Sequence, residues 1–124
     1  MTPWLTRLSE IAYVLLRIAA GLLFAQHGAQ KLFGVLGGKA VPLFSLLGAA
    51  GVIELVAGVL IALGVLTGWM AFLASGEMAV AYFRNHAAQG FWPIENRGEL
   101  AALYCFVFLY IASRGGGKWR LTRN

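Results

Sequence analysis

IAYVLLRIAAGLLFAQHGAQKLFG, residues 11–34, is long and apolar enough to cross a bilayer, for which about 20 residues suffice. Yet it carries Arg17, His27 and Lys31. An arginine on an isolated transmembrane helix costs roughly 2.5 to 3.5 kcal/mol on insertion scales, so its side chain must face protein rather than lipid. At about 100° per residue, Arg17, Gly21, Phe24, Gly28 and Lys31 share one stripe, with His27 at its edge. Glycines on such a stripe let a neighbouring backbone come close. The acceptors for Arg17 are then expected on other helices, from Glu54, Glu77 and Glu99. The stretch predicts an all-α integral membrane protein with a buried polar network.

The whole chain agrees. Its 124 residues are expected to form one domain, 1–124, and 60% of them are hydrophobic against 12% charged, outside the range of ordinary soluble domains. A net charge of +5 raises nucleic acid as a partner, but the basic residues hardly cluster, so none is expected. The tail residues Arg114, Lys118, Arg120 and Arg123 read first as a cytoplasmic anchor and second as a contact for lipid headgroups. Cys105 is the single cysteine, which excludes an internal disulfide or a CxxC redox pair; it reads as a packing residue. Arg17 in mid-run argues against a cleaved signal peptide.

Four spans are predicted, at about 11–33, 46–66, 69–86 and 99–114, in a four-helix bundle with antiparallel neighbours. Residues 1–10 read as an amphipathic lead-in. The loop 34–45 is glycine-rich, with a short surface helix expected over 41–47. Gly51, Glu54 and Gly58 share a face of the second span, and Thr67 and Gly68 make the tight turn to the third. Phe91, Trp92, Trp4, Trp69 and Trp119 read as interface anchors. Four spans put both termini on one side, and the basic residues there favour N-in/C-in, as in a bacterial inner membrane. Counting along each span puts Arg17 roughly 9 Å, Glu77 about 13 Å and Glu54 about 18 Å above the inner face. Two polar layers are expected: a central ion network of Arg17, Glu54 and Glu77, and an outer set of His27, Lys31, Arg84, His86, Glu95, Asn96, Arg97 and Glu99.

LLRIAAGLLFAQHGAQKLFG, then IELVAGVLIALGVLTGWMA, then NRGE and a glycine-rich end together resemble the DoxX family of small four-helix membrane proteins. The resemblance rests on Arg17, Gly21, His27, Gly28 and Lys31 in order, on Glu54 with Gly58 and Gly64, and on Gly98 with Glu99. The family commonly ends in a glycine pair followed by aromatic-Ser-Leu-Asp, whereas this chain ends GGGKWRLTRN, keeping Leu121 and lacking the acid. The resemblance implies a membrane protein associated with oxidoreductase systems, quinone-linked ones among them.

The candidate residues support readings of several classes. Arg17, Glu54 and Glu77 can serve structure alone, since buried ion pairs often fix register without adding stability. Intramembrane ionisable groups also mark proton or ligand paths. One arginine against two carboxylates leaves a charge unmatched, so one carboxyl is expected to hold a proton. Catalytic candidates, if the protein is an enzyme, are Glu54, Glu77 and Glu99; ligand-binding candidates are His27, Lys31, Glu54, Arg84 and Glu99. A quinone-like ligand is expected between helices near the outer layer, its oxygens held by His27 and Lys31, with Glu54 and Glu99 relaying protons. Electrons would then need an oxidoreductase partner protein, because the chain has no evident redox cofactor. Haem between His27 and His86 is disfavoured, since His86 sits at a helix end, and no metal is expected. The alternatives are a non-catalytic scaffold for partner proteins and a small transporter or proton-conducting module; a homo-oligomer is left open.

Overall fold

The computed structural model describes residues 2–122, so Arg123 of the basic tail lies outside the described residues. Among these the chain is helical and contains no strand. Helix α1, Pro3–Phe33, starts with proline where a missing N–H costs nothing and runs 31 residues to Gly34, whose φ of 68° stops it. The expected lead-in is therefore the first part of α1. The short helix expected over 41–47 does not form. Instead Ser45 accepts a hydrogen bond from the Gly48 N–H (3.0 Å) and starts α2, Leu46–Leu63, at that point. Gly64, at φ 76°, ends α2 short of the expected 66, and α3, Thr67–Asn85, begins after a three-residue turn. A 3-10 turn, Ala87–Gln89, and the short α4, Pro93–Asn96, lead to α5, Glu99–Arg114, which has the expected bounds.

Helix α1 packs along α2 and α3 along α5, while α2 and α3 meet less extensively. Small residues set the first contact. A Cβ on Gly21 would lie 2.6 Å from the Gly58 carbonyl oxygen, and one on Gly28 would lie 2.4 Å from the Leu55 nitrogen and 2.5 Å from the Gly51 oxygen. Gly21 thus opposes Gly58 and Ala62, and Gly28 opposes Gly51 and Leu55, in an antiparallel register. Helix α1 reaches α5 through Phe24, whose ring lies 4.8 Å from that of Phe108 and 5.5 Å from that of Tyr104.

Large apolar residues cover the outside as well as filling the core, and a few polar groups are enclosed among them. Leu15, Leu22, Val56, Leu63, Phe72, Phe83, Leu103 and Phe106 face outward on the four long helices, while Arg17, Glu54, Ser75 and Asn96 are buried. A soluble monomer rarely shows a contiguous apolar patch beyond a few hundred Å². Helices α1 and α2 are each long and apolar enough to cross a membrane, with mean hydropathies of 1.8 and 2.4 in their most apolar stretches.

A buried polar cluster beside an apolar cleft

Arg17 is 1% exposed, as its cost in hydrocarbon requires, but its partners are not acids. It donates to the carbonyls of Gly116 and of Ala62 (3.1 Å for Ala62). Ala62 belongs to the last turn of α2, where carbonyls lack helical partners and the helix dipole is negative, so a guanidinium suits both. The expected Arg17–Glu54–Glu77 network is therefore corrected. The reason is register: Gly21 against Ala62 puts Arg17 level with the end of α2, and Ala62 is eight residues beyond Glu54, roughly 12 Å along the axis.

The cation that meets the acids is Lys31. Its ammonium lies 2.7 and 2.6 Å from the two oxygens of Glu54, which is 1% exposed. Gly28 opposite Gly51 brings the helices together one turn from this pair, so the flexible lysine stem reaches inward rather than snorkelling to the surface. Glu77 of α3 neighbours Glu54. One of its oxygens, Oε1, is buried without a hydrogen-bond partner among the described residues. One ammonium cannot neutralise two neighbouring carboxylates, so the cluster has room for one proton on the pair. Tyr104 of α5 also feels the charge of Glu54, and His27 meets the Tyr104 ring edge-on at 6.1 Å.

Glu77 also lines a cleft of about 1150 Å³ between α2 and α3. Ile53, Leu73, Gly76 and Val80 form part of its wall, with Arg84 and Ser45 nearer the α2 start. Gly76 leaves floor space here, since a Cβ added to it would meet nothing within 4 Å. The remaining candidates are dispersed. Glu99 is exposed and lines a separate shallow groove with Phe106, and His86 bonds the Asn96 carbonyl through Nδ1 (3.0 Å). His27 and His86 thus have different neighbours, and among the described residues no three His, Cys, Asp or Glu gather as metal ligands.

The DoxX family model matches residues 12–87, from within α1 to just past α3. The chain belongs to the DoxX family. In this DoxX membrane protein the matched stretch contains Arg17, Lys31, Glu54, Glu77 and the cleft, while α4, α5 and the tail lie beyond it. A Haemophilus influenzae protein, itself described as uncharacterized, is 43% identical over 116 residues, covering 88% of this chain and 87% of its own. No solved structure matches the DoxX chain.

Two groups have roles that the sequence reading did not give. Asn96, 0% exposed, organises the α3–α5 connection: its amide donates to the Tyr82 hydroxyl (3.0 Å) and the Gly90 carbonyl (2.9 Å), and its oxygen accepts from the Gly98 N–H (2.8 Å). The last bond is an Asx turn, and Asn two residues before Gly was its available signal. The second is the tail. Tyr13 donates to the Gly115 carbonyl (2.6 Å), Lys118 pairs with Glu10 (2.9 Å), the Leu121 N–H bonds the Gly64 carbonyl (3.0 Å), and Arg114 stacks over Tyr13 at 4.4 Å. No periodicity announces such a fold-back. Arg17 ties it to α2, so Arg17→Met is expected to release it. Hydrogen bonds to a charged group contribute about 1.5–3 kcal/mol each. Amide exchange over residues 115–122 should accelerate about tenfold or more, and exchange at the native rate would mean that Arg17 does not hold the tail.

Proposed function

We propose that this protein is a small component of membrane redox metabolism that holds a lipophilic, quinone-like ligand in the α2–α3 cleft. Four spans, α1, α2, α3 and α5, form the bundle, oriented N-in/C-in in a bacterial inner membrane. The observation that carries the reading is Glu77 Oε1, a buried polar atom without a partner beside an apolar cleft. Ligand sites commonly combine apolar walls with a few directed polar groups. A ring carbonyl or hydroxyl would meet Glu77, a polyprenyl or alkyl tail would lie along Ile53, Leu73 and Val80, and Arg84 would stand near the entrance. Lys31 and His27 serve the ligand indirectly, through Glu54 and Tyr104. Electrons come from a partner oxidoreductase or an added cofactor, so the chain acts as an accessory subunit.

Gly76 supplies the test. Gly76→Phe fills the cleft from open space, and removing a helix-interior glycine does not weaken α3. Decylubiquinone is the probe, followed by quenching of Trp69, which lines the cleft, with the other tryptophans changed to Phe. The expected result is saturable quenching that weakens at least tenfold in Gly76→Phe at unchanged thermal stability. Non-saturable partitioning, or equal affinity in the variant, would remove the cleft as the binding site.

A further inference from the structure

Lys31, Glu54 and Glu77 come from three different helices and stand in sequence. Lys31 lies in the last turn of α1 with its side chain 30% exposed, Glu54 is closed off in the core, and Glu77 opens on the cleft. A pair that only fixed helix register would need Lys31 and Glu54. The second carboxylate, placed against the first and carrying a buried oxygen without a partner, is left over from that role. We propose that these three side chains form a proton relay from the membrane surface at the end of α1 to the lipid-facing cleft.

Each transfer conserves charge and involves no electrons. The Glu77 carboxyl gives its proton to an acceptor in the cleft. The Glu54 carboxylate then takes a proton from the Lys31 ammonium and passes it to the Glu77 carboxylate, and the Lys31 amine regains one from water at the surface. The net change is one proton taken from the medium and one delivered to the cleft. Glu54 is faced by Lys31 from α1, Glu77 from α3 and Tyr104 from α5, and Tyr104 is in turn met by His27 of α1. Toward the other membrane face the path ends at Arg17, fourteen residues before Lys31 on α1, roughly 21 Å away along the axis. Arg17 is held by carbonyls and presents a fixed positive charge, the kind of barrier that keeps protons from crossing a pore. The relay is therefore one-sided, serving the cleft without carrying protons across the membrane.

The relay rests on the ligand reading only for the proton's destination, and its test needs no ligand. Full-length protein in lipid nanodiscs is moved from H2O to D2O, and the infrared carboxyl band that Glu77→Gln removes is followed in time. The expected result is fast exchange of the Glu77 band in the native protein and at least tenfold slower exchange in Glu54→Gln. Lys31→Met leaves Glu54 without its cation, so the Lys31→Met/Glu54→Gln variant, which removes both charges, provides the second measurement and should be equally slow. Native-rate exchange in either carrier variant, no carboxyl band attributable to Glu77, or a steady Glu77-dependent proton flux across liposomes would each overturn the relay. Failure of decylubiquinone binding would leave these exchange rates as they are, so the two readings fail separately.

Discussion

Gly28→Leu is expected to leave no stable native state. The Cβ alone would stand 2.4 Å from the Leu55 nitrogen and 2.5 Å from the Gly51 oxygen, both backbone atoms, so α1 and α2 must separate to admit it. Overpacking a core costs typically about 1–3 kcal/mol, and more where backbone must move. Separation would also part Lys31 from Glu54, one helical turn away, and leave a carboxylate buried without its cation. These losses together approach the total stability of a small domain, about 5–15 kcal/mol. Helicity followed through a denaturing detergent titration measures the effect. Gly76→Leu is the control: its side chain points into open space, and its midpoint should match the native one within the equivalent of about 1 kcal/mol. A native midpoint for Gly28→Leu would mean that α1 and α2 do not meet as closely as the glycines require.

The second large effect is expected from Lys31→Met. Removing one partner of a buried ion pair costs about 3–5 kcal/mol, because the remaining charge keeps its desolvation penalty. The lysine side chain is 30% exposed, so the loss should fall at the lower end. Adding Glu54→Gln replaces the stranded carboxylate with a neutral amide and should recover most of it. Unfolding midpoints of the two single variants and the double variant form a cycle that isolates the pair. If the single losses simply add, Lys31 and Glu54 do not interact, and the polar cluster must be drawn differently.

Much of the fold was legible before any coordinates. The bounds of α5, the glycine stripe of α1 and the burial of Arg17 and Glu54 all followed from hydropathy, helical period and the cost of charge in hydrocarbon. The helix expected over 41–47 was a misreading of apolar residues that precede a serine cap, where the cap, not hydropathy, sets the helix start. The separateness of residues 1–10 was another, because Pro3 can open a helix as readily as it can interrupt one.

The ionic partners depended on something the linear chain does not record. Sequence by itself determined that this is a helical membrane protein with Arg17 and Glu54 turned inward, since composition and period are local properties of the chain. Tertiary structure alone decided that Lys31, rather than Arg17, meets Glu54, that Glu77 borders a cleft, and that the tail supplies carbonyls to Arg17. The physical reason is the antiparallel register of α1 on α2, fixed by backbone contact at Gly21, Gly28, Gly51 and Gly58. Sliding one helix by two turns would shift each side chain by roughly 11 Å and exchange every partner, with no change in either helix's own pattern.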